Sequence, residues 1–141
     1  MRSSSHTAVL RERLKIVVVD DDESVCETVT QALREHGYHV ESRPAATNVL
    51  TAFNLNPAVW DVVITDMHMP FVNGLEFIPL LKDICPHVII IGITADPAKC
   101  MRAQALRRGA AAYLVKPFDL EELIQMLRFV DTLAPEATAN C

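Results

Sequence analysis

The chain has 141 residues, half of them hydrophobic, so it can build one sizeable core but is too short for two ordinary domains. Its 13 Lys and Arg residues face 18 Asp and Glu residues, and this acidic balance argues against a broad nucleic-acid-binding face. No apolar run approaches the ~20 residues of a membrane-spanning helix, and the first residues lack the apolar core of a secretory signal. We therefore expect a cytoplasmic domain that contacts neither nucleic acid nor membrane directly.

The spacing of cysteine and glycine excludes several kinds of site. The four cysteines form no C-x-x-C pair, which argues against a zinc site or disulfide framework and predicts reduced, structural thiols at Cys26, Cys85, Cys100 and Cys141. The four glycines are too dispersed for a dinucleotide-binding G-x-G-x-x-G turn or a phosphate-binding loop. Most nucleotide-dependent enzymes are thereby excluded.

Short runs rich in Val and Ile alternate with helical patterns along the chain. After a polar, flexible lead over 1–13, five runs predict strands: Lys15–Asp20, Tyr38–Arg43, Trp60–Asp66, Val88–Thr94 and Ala111–Val115. Three of these runs are apolar almost throughout, which is typical of strands buried on both faces of a parallel sheet.

Helix-start signals lie between these runs. Ser24 and Glu27 form a capping box, and Gly37 is expected to end the helix that they open. Further starts are predicted at Asn73, at Asp96-Pro97 and at Asp119, a helix end at Gly109, and a weaker helix over Thr47–Leu55. Five strands alternating with five helices predict an open, doubly wound α/β sandwich over 14–133, followed by a tail over 134–141.

Polar side chains stand where the predicted strands end. Asp20 and Asp21 follow the first strand, Asp66 and Thr94 end the third and fourth, and Lys116 follows the fifth. Ligands of doubly wound sheets bind at this edge, and crowded carboxylates there favour a cation such as Mg²⁺. With a metal and a lysine present, one carboxylate can attack a phosphoryl group while a threonine hydroxyl donates a hydrogen bond to it.

The motifs V-V-V-D-D-D-E-S, V-V-I-T-D-M-H-M-P-F-V-N-G-L-E-F, I-I-G-I-T-A-D and A-Y-L-V-K-P-F-D, in this order, resemble the receiver domain of two-component response regulators. The resemblance covers about Lys15 to Val130 and implies a flavodoxin-like sheet of order 2-1-3-4-5. It implies that Asp66 accepts a phosphoryl group from a histidine kinase or phosphotransfer protein. It also implies a Mg²⁺ site, which Mn²⁺ could fill, formed by Asp20, Asp21, Asp66 and the backbone carbonyl of His68.

The same resemblance assigns the remaining roles. Thr94 and Lys116 contact the phosphoryl group, and Tyr113 is the switch aromatic that turns inward when Thr94 is drawn toward the phosphate. His68 and Asp96 stand where the family tunes phosphoryl lifetime. A downstream partner, an output domain or a second copy would then read the face of the fourth helix, fifth strand and fifth helix. Its basic residues either favour an acidic partner or form a solvated surface: Lys99, Arg102, Arg107 and Arg108.

The main hypothesis is a phosphorylatable switch, not a turnover enzyme, and two alternatives stand beside it. One is a receiver-like interaction module that takes no phosphate. The other is an aspartyl-phosphate phosphatase similar to haloacid dehalogenases, with Asp20 and Asp22 as its D-x-D pair, although this leaves Asp66 without a role. A start at Met1 and an end soon after the fifth helix slightly favour a stand-alone regulator over a piece of a longer one.

Overall fold

The computed structural model describes residues 14–68, 73–95 and 99–131. The strands are β1 Lys15–Val19, β2 His39–Arg43, β3 Val62–Asp66, β4 Ile89–Thr94 and β5 Ala112–Val115. The helices in this part of the chain are α1 Glu23–Glu35, α2 Ala46–Leu55, α3 Gly74–Ile84, α4 Lys99–Arg108 and α5 Leu120–Asp131. The predicted lead over 1–13 and tail over 134–141 lie outside the described residues.

The strands form one parallel sheet of order β2-β1-β3-β4-β5, which confirms the predicted flavodoxin-like topology. In the centre, Val17 is paired with Val63 and Val63 with Ile90. Because all strands run the same way, the residues that end β1, β3, β4 and β5 meet at one edge. This carboxyl edge is where the sequence predicts the site.

Two apolar layers cover the sheet. Alternate residues of β1 point to opposite faces, so Ile16 and Val18 join one layer while Val17 and Val19 join the other. The first layer is completed mainly from α1 and α5, by Leu33, Leu123, Ile124 and Leu127 among others. The second is completed mainly from α2, α3 and α4, by Phe53, Phe77, Leu81 and Ala105 among others. Within the described ranges, no helix is long and apolar enough to cross a membrane.

The start of α1 differs from the prediction. Asp22, not Ser24, is its N-cap, and its Oδ1 accepts the backbone N–H groups of Ser24 at 3.0 Å and Val25 at 3.3 Å. The predicted capping box is therefore wrong, because Ser24 already lies in the first turn and a carboxylate is available two residues earlier. The other end is confirmed: Gly37 follows the last turn with φ +91°, a left-handed conformation that glycine adopts without strain.

Other predicted helix boundaries are confirmed. Asn73 caps α3 by accepting the Glu76 N–H at 3.0 Å, and Gly109, with φ +122°, follows α4. Asp119 precedes α5, and its backbone N–H donates to the Glu122 carboxylate at 3.0 Å. The predicted start of α4 at Asp96-Pro97 lies outside the described residues.

The cysteines fit the prediction only in part. Cys26 is a free, buried thiol that donates to the Asp20 carbonyl at 3.2 Å, and burial together with the Asp20 charge raises its pKa. Cys85, at the end of α3, is disulfide-bonded, so the prediction of reduced thiols is wrong at this residue. Spacing in the sequence does not report which cysteines the fold brings close together.

Candidate functional site

The carboxyl edge of the sheet brings the predicted polar residues together. Asp66 and Thr94 are the last residues of the neighbouring strands β3 and β4. Asp20 and Asp21 follow β1, and Lys116 directly follows β5 at the edge of the sheet. Lys116 reaches across to the other side chains, because its Nζ lies 3.5 Å from Asp66 Oδ2 and 3.3 Å from Asp20 Oδ2. Four strands thus supply one compact site.

Two nearly buried carboxylates share this one lysine. The side chains of Asp20 and Asp66 are 5% and 11% exposed, and that of Lys116 is 25% exposed. Asp20 Oδ1 also accepts the backbone N–H of Asp22 at 2.8 Å, and this bond holds the loop after β1 against the site. Asp66 Oδ1 accepts the backbone N–H of His68 at 2.9 Å. Both carboxylates are therefore fixed by backbone donors as well as by the lysine.

The pKa of Asp20 is raised even though Lys116 lies beside it. Burial raises the pKa of Asp20, and the nearby Asp66 charge raises it further against the opposing effects of the Asp22 N–H and Lys116. Burial alone would lower the pKa of Lys116, but the charges of Asp66 and Asp20 outweigh it and raise that pKa above its usual 10.5. A second cation at the site would relieve the remaining repulsion between the carboxylates.

The acidic cluster could hold a metal ion. Carboxylate oxygens of Asp20, Asp21 and Asp66 lie within 4.8 Å of one another, and Asp21 is exposed to solvent. An all-oxygen donor set with one exposed member suits a hard divalent cation that retains several waters, as Mg²⁺ does. The donor chemistry therefore fits the predicted ion. The ligand role of the His68 carbonyl remains a prediction.

His68 and Thr94 make a contact that the sequence did not predict. The imidazole Nε2 of His68 lies 2.8 Å from Thr94 Oγ1, and the ring nitrogen donates or accepts according to its tautomer. Thr94 is fully buried, whereas His68 as a whole is exposed. The sequence placed both residues at the correct edge, but only the packing of β3 beside β4 brings their side chains together. Asp96, the other predicted lifetime residue, lies outside the described residues.

Tyr113 lies inward, beneath the end of the site. Its side chain is buried against Met67 and Gly92, and a β-carbon added at Gly92 would lie 2.9 Å from Met67 Sδ and 3.1 Å from Tyr113 Cδ1. Arg102 of α4 covers the ring, with its guanidinium carbon 6.0 Å from the ring centroid, and donates to the Tyr113 carbonyl at 3.4 Å. Part of the basic surface predicted on α4 is therefore engaged within the domain.

The second carboxylate of the phosphatase alternative does not join the cluster. Asp22 is exposed, and its Oδ1 is occupied by backbone N–H groups of the first turn of α1. Asp66, which that alternative leaves without a role, is instead bonded to Lys116 and His68. The geometry favours a site built around Asp66.

Sequence comparisons agree with this geometry. A family model for the response regulator receiver domain matches residues 16–128. The DNA-binding transcriptional regulator NtrC of Azospirillum brasilense is 37% identical over 123 residues, which cover 86% of this chain and 25% of that protein. The response regulator MprA of Mycobacterium sp. (strain KMS) is 36% identical over 115 residues, which cover 82% of this chain and 49% of that protein. The chain thus spans a quarter to a half of the length of these relatives.

Solved structures show the same fold. The receiver domain protein from Clostridium thermocellum has a TM-score of 0.80 and 30% identity, covering 85% of this chain and 95% of that one. The chemotaxis protein CheY4 of Vibrio cholerae has a TM-score of 0.75 and 29% identity, covering 83% of this chain and 98% of that one. From the fold, the site and these matches together, the chain belongs to the family of receiver domains of two-component response regulators.

Proposed function

We propose that this receiver domain accepts a phosphoryl group on Asp66 in a Mg²⁺-dependent reaction and thereby switches the surface formed by α4, β5 and α5. The observation that carries the proposal is the setting of Asp66. One carboxylate oxygen accepts a backbone N–H at 2.9 Å, and the other lies 3.5 Å from the Lys116 ammonium. A carboxylate held in this way is oriented and has cationic help beside it for charge that develops during transfer.

The reaction is a phosphoryl transfer to the domain itself. An oxygen of Asp66 attacks phosphorus, and an O–P bond forms as the donor's O–P bond in acetyl phosphate, or its N–P bond in a phosphohistidine, breaks. The electron pair leaves with acetate, or with the imidazole ring of the kinase or phosphotransfer protein. Lys116 faces the charge that accumulates on the phosphoryl oxygens. The domain promotes only its own phosphorylation and dephosphorylation, so we do not class it as a turnover enzyme.

Asp20, Asp21 and Asp66 are the side chains that would hold the metal, with the His68 carbonyl as a further ligand. When bound, Mg²⁺, or Mn²⁺ in its place, would supply positive charge to the carboxylates and to the phosphoryl oxygens. The spacing of the three carboxylates within 4.8 Å supports this part of the proposal.

Signalling would begin with new contacts to the phosphoryl group. The group adds negative charge and acceptor oxygens at the carboxyl edge, and Lys116 and the Thr94 hydroxyl would gain contacts that exist only in that state. Tyr113 lies on β5 with Arg102 of α4 over its ring, so a movement of Tyr113 would change the α4 and β5 surface. A partner, an output domain or a second copy of the chain would read the α4, β5 and α5 surface.

The cellular context forms part of the same proposal. A histidine kinase or phosphotransfer protein would supply the phosphoryl group in the cytoplasm. Because the matched relatives are two to four times longer than the region that they share with this chain, their additional activities are not transferred to it. We propose no direct contact of this domain with nucleic acid or membrane.

The test is the intact mass after incubation with acetyl phosphate and Mg²⁺. Wild type should gain one phosphoryl mass, and both Asp66→Asn and an EDTA control should show no gain. Asp61→Asn, at the other end of β3, is the matched control and should still be phosphorylated. If wild type takes no adduct and beryllofluoride leaves its spectrum unchanged, the proposal fails. The phosphate-independent interaction module then becomes the better hypothesis.

A further inference from the structure

His68 connects the phosphoacceptor to the buried threonine. Its backbone N–H donates to Asp66 Oδ1 at 2.9 Å, and its imidazole Nε2 lies 2.8 Å from Thr94 Oγ1. The sheet keeps the two contacts in register, because Asp66 is paired with Ile93 and the Met67 N–H donates to the Ile93 carbonyl at 2.8 Å. One residue therefore touches both groups that the proposed function joins through a phosphoryl group.

We propose that the His68 imidazole is a positioning residue: its Nε2–H donates to Thr94 Oγ1 and leaves the threonine hydrogen directed toward the phosphoryl group. This inference rests on the proposed function and concerns the regulation of the same site. It adds a defined hydrogen-bond partner to a side chain for which the family resemblance implies only a role in phosphoryl lifetime.

The direction of the bond follows from counting hydrogens. A threonine hydroxyl has one hydrogen to donate and can also accept, whereas phosphoryl oxygens only accept. If His68 Nε2 accepted that hydrogen, the contact with His68 and the contact with the phosphoryl group would exclude each other. If Nε2 carries a hydrogen, both contacts exist at once and the imidazole stabilises the bound geometry. The second arrangement is the one that we propose.

The setting of Thr94 makes such positioning effective. Thr94 is fully buried at the end of β4, and its β-branched side chain has few rotamers. A hydroxyl already held by a donor loses little further freedom when it engages an acceptor, so removing the imidazole should weaken binding of a phosphoryl mimic. A single hydrogen bond of this kind corresponds to about a 2–10-fold change in affinity.

Substitutions at His68 change the side chain and retain the backbone N–H and carbonyl. His68→Ala removes the imidazole, and His68→Gln restores an N–H donor of similar reach. Thr94→Val removes the hydroxyl at nearly constant volume. His87→Ala removes an exposed histidine from the turn after α3 and is the matched control.

The experiment measures the dissociation constant of beryllofluoride in Mg²⁺ for each single variant and for the His68→Ala, Thr94→Val double variant. We expect His68→Ala to weaken binding about 2–10-fold, His68→Gln to recover most of the loss, and His87→Ala to match wild type. In the Thr94→Val background, His68→Ala should have almost no further effect, because the bond is already absent. A ¹⁵N spectrum of wild type should show the His68 hydrogen on Nε2.

Several results would overturn the inference while leaving the proposed function intact. These are equal binding by His68→Ala and His87→Ala, an undiminished effect of His68→Ala in the Thr94→Val background, or an unprotonated Nε2. A different pattern marks failure of the proposed function itself: wild type then binds no beryllofluoride and takes no phosphoryl group. In that event the positioning role is also wrong. The ¹⁵N spectrum would still report whether His68 Nε2 carries the hydrogen that faces Thr94 Oγ1.

Discussion

Each end of β3 carries an aspartate with little exposure, but the two have different partners. Asp61, before the strand, accepts the Lys15 backbone N–H at 2.8 Å, and its own backbone bonds to Lys15 and Ile89 join β1, β3 and β4. Asp66, at the other end, faces the ammonium group of Lys116 and the second carboxylate of Asp20. The comparison shows that two aspartates of similar low exposure differ in their partners: Asp61 binds backbone groups, whereas the proposed phosphoacceptor Asp66 lies beside charged side chains.

We expect the two ends of β3 to affect stability in opposite directions. At Asp61, the Lys15 backbone N–H donates to Oδ2 and ties the carboxylate to β1. At the carboxyl edge, burial and the Asp66 charge raise the pKa of Asp20, so the ionised pair is disfavoured in the folded state. A bound cation, or protonation of one carboxylate, would stabilise the cluster.

Separate substitutions of Asp66 and Asp61 should give the largest difference in phosphorylation. Asp66→Asn should abolish the phosphoryl adduct and leave stability equal or higher, because a like-charge contact is removed. Asp61→Ala should retain the adduct but lower the free energy of unfolding by about 1 kcal/mol, because the half-buried Lys15 N–H loses its acceptor. Intact mass and urea unfolding measure the two effects. Loss of the adduct in a folded Asp61→Ala protein would contradict the division of roles.

Asp20→Asn should separate the stability cost from the metal site. Asn retains an acceptor for the Asp22 N–H but carries no charge, so in EDTA at pH 7 the variant should be more stable than wild type. The gain should be about 1.4 kcal/mol for each unit by which the pKa of Asp20 in the folded state exceeds its usual value. Adding Mg²⁺ should raise the Tm of wild type and have much less effect on the variant. A lower stability of Asp20→Asn in EDTA would contradict this account.

The pH dependence provides a second measurement on the same pair. Because the pKa of Asp20 in the folded state lies above its usual 3.8, the folded state binds that proton more tightly than the unfolded state does. The free energy of unfolding should therefore fall as pH rises from 3.8 to the raised pKa, and this contribution should stay constant above it. The difference between wild type and Asp20→Asn in EDTA isolates the contribution. A difference that does not change with pH would show that Asp20 titrates normally.

Gly92→Ala tests the close packing of Gly92 against Met67 and Tyr113. The added β-carbon would lie 2.9 Å from Met67 Sδ and 3.1 Å from Tyr113 Cδ1, so both side chains must move. We expect the free energy of unfolding to fall by about 1–3 kcal/mol, and the environment of the Tyr113 ring to change in near-UV circular dichroism. An unchanged stability and spectrum would show that Met67 moves aside without affecting Tyr113.

The smallest effect should come from two adjacent aspartates beside the site. Asp22→Ala removes the cap of α1 and should cost about 1 kcal/mol of stability without affecting phosphorylation. Asp21→Ala should leave stability nearly unchanged in EDTA. It should raise the Mg²⁺ concentration that is needed to form the adduct. The pair is compared by urea unfolding and by a Mg²⁺ titration of phosphorylation. If instead Asp22→Ala changed the Mg²⁺ titration and Asp21→Ala lowered stability, Asp22 and not Asp21 would be the metal ligand.

Much of the fold could be predicted because its signals are local. The apolar runs of β1, β3 and β4 have the composition of doubly covered strands, and Gly37 and Gly109 mark helix ends that require positive φ. The capping-box signal places the start of α1 two residues late, because Ser24 and Asp22 both satisfy capping preferences. Which of them caps depends on the path of the chain after β1, where the Asp22 N–H is bonded to Asp20.

The sequence by itself determined the strand ends that carry Asp20, Asp66, Thr94 and Lys116, since apolar runs and helical patterns mark where each strand ends. Tertiary structure alone decided which side chains of different strands and helices contact each other. The bond from His68 to Thr94 and the position of Arg102 over Tyr113 both depend on the packing of separate elements against each other. Hydrophobic periodicity reports which face a residue occupies, whereas side-chain contacts depend on distances that only the packed sheet and helices define.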